Sequence, residues 1–119
     1  MLDIRRLIFE TALQTPGVGP LTETLKWGEP AYLTTASKSG STLRLGWTPK
    51  APDQVAIYLN CKTTLVDTFR NLVPDDLVYA GNRAILLAVS QPLPTEALTV
   101  CLRLALTYHG AKRTPPLSR

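Results

Sequence analysis

Pro30 marks a change of hydrophobic period. Ahead of it, apolar residues recur at the three- and four-residue spacing of a helix face; beyond it they alternate with polar ones, as in a half-buried strand. A chain that makes this change near its start and reverses it later is confined to folds in which helices and antiparallel strands occupy separate layers. The stretch that carries the change, Lys26-Trp27-Gly28-Glu29-Pro30-Ala31-Tyr32, packs aromatics, a Gly, a Pro and both charge signs into one junction. Pro30 pushes Glu29 toward extended backbone, and Gly28 lets the chain turn tightly beside the Trp27 indole.

Residues 2 to 14 lack Gly and Pro and place Ile4, Leu7, Ile8 and Thr11 at helical spacing, which predicts a first helix ended by Thr15-Pro16-Gly17-Val18-Gly19. Pro20, suited to a first helical turn, predicts a short second helix to about Lys26. Ala31 to Thr35, Thr42 to Thr48 and a strand centred on Val55, Ile57 and Leu59 then read as an antiparallel meander. Thr64 to Val73 returns to helical spacing, with Thr64 as side-chain cap and Pro74 as stop. Leu77 to Ala80 and Arg83 to Val89 form a hairpin around Gly81-Asn82, a two-residue turn with glycine at the positive φ. The run Ile85 to Val89 is apolar on both faces and reads as an interior strand covered on each side. Pro92-Leu93-Pro94 presets a last helix to about His109, with Leu98, Cys101, Leu102, Ala105 and Tyr108 as its buried stripe and Gly110 as its cap.

The expected fold is therefore α+β: an antiparallel sheet of about five strands, meander plus hairpin, with N-terminal and C-terminal helices packed on it and one inserted helix. The 119 residues suffice for one hydrophobic core, giving a single domain over 1–110 and a basic, Pro-rich, disordered tail over 111–119. Three of the bases, Lys112, Arg113 and Arg119, lie in that tail, so the net charge of +4 leaves about one positive charge on the body. Nucleic-acid faces concentrate Lys and Arg on the folded body, and that reading is set aside. No apolar run approaches the roughly 20 residues of a membrane span, and Asp3, Arg5, Arg6 and Glu10 interrupt what a signal peptide would need. A cytoplasmic protein without a membrane partner is the expectation, as monomer or homodimer.

Two places offer chemistry. Around the junction, Lys26, Trp27, Glu29 and Tyr32 could line a small-ligand pocket, with Lys26 and Glu29 as polar handles, or Trp27 and Tyr32 could simply anchor the core. On the sheet face opposite Leu43, Leu45, Trp47, Ile57 and Leu59, Arg44 and Tyr58 project, with Lys62 nearby, where they could grip an acidic peptide or a base; that face could equally be solvated or covered by a helix. Cys61 precedes a helix start and adjoins Lys62, which favours a thiolate, but nothing orients His109 toward it. Cys101 lies on a buried stripe. Asp75 and Asp76 sit in a turn. No phosphate loop, nucleotide fingerprint, nucleophile elbow or His-rich metal motif is present, so no cofactor and no catalytic residue is assigned.

The Lys26 to Tyr32 stretch, together with Pro92-Leu93-Pro94 leading into the closing helix, resembles the YdhG-like domains of unknown function, small bacterial proteins related in fold to frataxin. The shared signature is W-G-x-P-x-Y, and the resemblance spans residues 2 to 109. It implies an intracellular α+β domain, with an iron-chaperone role proposed for some members through likeness to frataxin. Frataxin-type iron binding uses an acidic ridge along the first helix; here that helix offers Asp3 and Glu10 beside Arg5 and Arg6. The resemblance and the residues together favour a non-enzymatic module that binds a small ligand or a protein partner, ahead of iron handling and of a thiol enzyme built on Cys61.

Overall fold

The computed structural model of the chain describes residues 2–26, 28–60, 63–73 and 75–109. Among them the order is α1 (Leu2–Gln14), β1 (Thr22–Lys26), β2 (Glu29–Leu33), β3 (Leu43–Gly46), β4 (Gln54–Tyr58), α2 (Leu65–Leu72), β5 (Val78–Ala80), β6 (Ala84–Ala88) and α3 (Thr95–Leu106). The strands form one antiparallel sheet ordered β1-β2-β3-β4-β6-β5. The fold is α+β as expected, with six strands where about five were expected.

The additional strand is the segment expected to be a short helix from Pro20. All five side chains of β1 are exposed, Leu25 to 69%, so no buried stripe exists to stabilise a helix there. Paired with β2 from Thr22↔Leu33 to Lys26↔Glu29, the segment places its backbone groups in a ladder instead. Gly28, at φ +78°, turns the chain between the two strands, a conformation that a residue with a Cβ adopts only with strain.

The helices share one face of the sheet. Ile4, Ile8 and Ala12 from α1, Leu65, Val66 and Phe69 from α2, and Leu98, Cys101, Leu102, Ala105 and Leu106 from α3 all join the core formed by Tyr32, Leu43, Leu45, Val55, Ile57, Ile85 and Leu87. The expectation that β6 is interior holds in the sheet order, where it lies between β4 and β5. Its expected cover on both faces does not hold: Ile85 and Leu87 are buried, Leu86 is half-buried and Ala88 exposed.

Helix ends differ in detail from their expected caps. Thr64 has φ −94° and ψ 13°, outside the extended geometry a side-chain cap needs, and makes no cap bond through its hydroxyl. Its carbonyl accepts from the N–H of Thr68 at 3.0 Å, while the Leu65 N–H donates to Thr63 Oγ1 at 3.4 Å. At the other end of α2, the Tyr79 hydroxyl lies 2.8 Å from the Val73 carbonyl, which the helix end leaves open, and 3.2 Å from that of Phe69, which also accepts the Val73 N–H at 2.8 Å. Between β5 and β6 the loop has three residues, not two, because Ala80 pairs with Ala84.

The C-terminal end of α3 is held by the loop before β3. Ser39 Oγ donates to the Leu106 carbonyl at 2.8 Å, the Ser41 N–H donates to the Ala105 carbonyl at 2.9 Å, and the His109 N–H donates to the Ser39 carbonyl at 2.7 Å. Gly40 lies so close that a Cβ there would sit 2.5 to 2.6 Å from the Leu106 backbone. Gly110 and residues 111–119, expected as cap and tail, lie outside the described residues.

Candidate functional site on the open face of the sheet

Strand alternation decides which candidate residues can meet. Register places Ala31 opposite Arg44, Arg44 opposite Tyr58, and Tyr58 opposite Ala84. These residues, with Glu29 two positions from Ala31, share the face turned away from the helices. The floor is made of small side chains: Ala31, Ala56 and Ala84 are buried although no described helix covers this side, recessed between larger neighbours.

Arg44 stands at the centre. Its Nη1 donates to Glu29 Oε1 at 2.9 Å, and its guanidinium carbon lies 5.2 Å from the Tyr58 ring centroid. Both charged side chains keep about three-tenths of their surface exposed, 30% for Arg44 and 29% for Glu29. Gly46 supplies the room beneath them. A Cβ at that position would overlap Tyr58 Cε2 and lie 2.7 Å from Glu29 Oε2, so the ring and the carboxylate both rest on bare backbone.

The same cluster borders a shallow hollow of about 310 Å³ whose lining includes Lys26, Thr42, Arg44, Tyr58, Asn60 and Arg83. Of the residues singled out in the sequence, Lys26, Arg44 and Tyr58 line this hollow, and Glu29 joins them through Arg44. Two of the four junction residues thus join the sheet-face pair, because the β1–β2 turn brings Lys26 and Glu29 beside β3. Gly46, Asn60 and Arg83 were not singled out. Gly46 had a visible signal, a glycine interrupting an otherwise alternating strand next to an Arg. Arg83 had none, since only the β4–β6 register brings it to this side.

Tyr32 is the exception among the candidates. It is one position out of phase with Ala31 and points into the core, 1% exposed, with the Phe9 ring edge-on at 5.7 Å. Its hydroxyl faces the Glu23 carboxylate, which Arg5 holds at 2.6 and 2.9 Å. Burial first and the nearby Glu23 carboxylate second push Tyr32 up to about 12. The Arg5 hydrogen bond, then the Tyr32 hydroxyl, hold Glu23 below the usual carboxylate range. This second cluster staples α1 to the β1–β2 hairpin and leaves Tyr32 no ligand to meet. Trp27, Cys61 and Lys62 lie outside the described residues.

Other hollows carry less chemistry. One of about 500 Å³ at the end of α1, lined by Phe9, Leu13, Pro16, Pro20 and Leu21 among others, has no charged side chain among the described residues of its lining. One of about 450 Å³ beside β5 and β6 includes both Lys50 and Asp53, whose charges balance. Among the described residues no three His, Cys, Asp or Glu side chains gather as a metal site would require, and Asp75 and Asp76 are exposed in their turn. Cys101 is buried as expected, and burial pushes its thiol up to about 12, far from a nucleophile's range. No described helix is long and apolar enough to cross a membrane. Compared with known proteins, the chain matches no family model, no curated protein and no solved structure.

Proposed function

We propose that this chain is a YdhG-like α+β domain acting as a non-enzymatic, intracellular binding module, and that it takes a small ligand on the open face of its sheet, around Arg44. The family reading is supported by the Lys26 to Tyr32 signature at the β1–β2 turn and by an antiparallel sheet with helices on one side. The binding reading is carried by a single observation. Arg44 is oriented from two directions, by Glu29 at 2.9 Å and by the Tyr58 ring at 5.2 Å, on a face that no described helix covers. An arginine in such a position does little for folding, while a pre-oriented guanidinium on small floor residues is suited to recognition.

The test is a survey of amide chemical shifts in isotopically labelled protein against small anionic, neutral and cationic compounds. Binders are expected to move the amides of Arg44, Tyr58 and Asn60, and Arg44→Met to abolish the movement while the protein stays folded. If binders moved only the amides around Phe9 and Leu13, the open face would lose its role to the apolar hollow beside α1.

A further inference from the structure

We infer that the hollow above Arg44 and Tyr58 accepts a compact dianion of the phosphate-monoester class. This rests on the reading that the open face is the binding face, and it names what that face would bind.

The charge around the hollow is one-sided. Lys26, Arg44 and Arg83 contribute three cations to the lining, and among the described residues no carboxylate lines it. Glu29 reaches the cluster from the side through Arg44. Three cations against one carboxylate leave two positive charges facing one small volume.

The cross-strand pairing explains why this charge is not cancelled internally. Glu29 is the direct register partner of Lys26, the position from which a carboxylate would normally neutralise a lysine. It turns to Arg44 instead, because Gly46 leaves space for its carboxylate beside the Tyr58 ring. Among the described residues Lys26 and Arg83 have no side-chain ion pair or hydrogen bond. An arrangement that consumes its nearest acid on one cation and leaves two others around the same hollow lacks an anion.

Size and hydrogen-bonding groups narrow the class. A volume of about 310 Å³ lies at the low end of the roughly 300 to 1,000 Å³ span of ligand pockets, which favours a compact ligand. A phosphate monoester carries about −1.5 to −2 charge at pH 7 and three strong acceptor oxygens, matching two net positive charges and a lining whose other polar groups, Thr42, Tyr58 and Asn60, can all donate. A monocarboxylate supplies half that charge. Lys26 and Arg83 are exposed, so binding is screened by salt.

The experiment titrates the full chain with glycerol 2-phosphate, inorganic phosphate and acetate, plus sodium chloride at matched ionic strength, following the amides of Arg44, Tyr58 and Asn60. Both phosphates are expected to move these amides, acetate and chloride not, and affinity for the monoester is expected to rise with pH through its second ionisation near 6. Lys26→Gln and Arg83→Gln are each expected to weaken binding by about tenfold or more, as loss of a charge-assisted hydrogen bond does, without changing the melting temperature of the free protein. Equal response to acetate, or unchanged phosphate affinity in both variants, would overturn the inference. If a neutral or cationic compound of the amide survey moved the same amides and neither phosphate did, the dianion would fall and the binding face would stand. If no compound of any charge moved them, both would fall together.

Discussion

Arg44 and Tyr58 face each other directly across β3 and β4, the guanidinium carbon 5.2 Å from the ring centroid. At a half-exposed site such a contact contributes about 0.5–1 kcal/mol, and the accompanying Glu29 ion pair, with both partners about three-tenths exposed, contributes about 0–1 kcal/mol after solvent screening. Neither is large enough to be a fold anchor.

Arg44→Met is therefore expected to lower unfolding free energy by less than about 2 kcal/mol, measured by urea denaturation. A loss well above that would recast the cluster as structural and remove the ground for a binding role.

Two glycines give expectations of different size for the same substitution. At Gly40 a new Cβ meets the Leu106 backbone at 2.5 to 2.6 Å, and a helix backbone cannot step aside. Gly40→Ala is expected to cost about 3 kcal/mol or more, the upper end of overpacking effects. At Gly46 the obstacles are the Tyr58 ring and the Glu29 carboxylate, both ends of side chains that can swing. Gly46→Ala is expected to cost about 1 kcal/mol and to disperse the Arg44 cluster. Urea midpoints in the reverse order would contradict the packing described.

The two limbs of the pH profile have different owners. Tyr32, Tyr79 and Cys101 are all raised to about 12, burial being the first cause for each. The unfolded chain therefore releases these protons first, from its ordinary values of 9.0 for the thiol and 10.0 for the phenols. The contribution of these three groups is complete below pH 9 and is expected to fall as pH rises to about 12, by up to about 1.4 kcal/mol per pH unit for each group. Glu23 is lowered from 4.5, so its contribution is complete above that value and is lost as pH falls through the folded-state value. Glu23→Gln should flatten the acid limb and, because the Glu23 carboxylate helps raise Tyr32, soften the Tyr32 part of the alkaline limb, whereas Cys101→Ala should flatten only the first part of the alkaline limb. Urea midpoints across pH give both, and a Glu23→Gln profile still parallel to the parent in acid would detach Glu23 from that limb.

Cys101, 1% exposed within α3, is expected to react with iodoacetamide only when the core opens. Its alkylation rate, read by mass spectrometry on the Cys101 peptide, should rise with urea in step with unfolding. Reaction at pH 8 as fast as an unstructured thiol would show that α3 leaves the sheet readily.

Much of this architecture was legible where burial follows a simple period. Ile4, Ile8 and Thr11, or Leu98, Cys101, Leu102 and Ala105, repeat along one helix face, and all are buried. Thr22–Lys26 gave no such pattern because every side chain there is exposed; its strand character comes from pairing with β2, which no property of the five residues encodes. The site was half legible for the same reason. Alternation within their strands puts Arg44 and Tyr58 on the outward face. Tyr32 is near Glu29 in sequence, but a difference of three positions along a strand puts the two on opposite faces. Arg83 is placed by a register between residues 26 positions apart, Tyr58 and Ala84, which no local pattern reveals.

The clasp between residues 39–41 and the end of α3 also has a consequence for biosynthesis. Ser39, Gly40 and Ser41 leave the ribosome some 65 residues ahead of the partners that hold them, Ala105, Leu106 and His109. Until α3 emerges, the sheet has only α1 and α2 to shelter Leu43, Ile57 and Ile85, and its nonlocal closure must wait. Nascent chains stalled with Ala105 still inside the exit tunnel should therefore be cut rapidly by protease. Chains in which the whole clasp has emerged should resist, and equal resistance of the two would mean that α1, α2 and the strands form a self-sufficient fold before the last helix arrives.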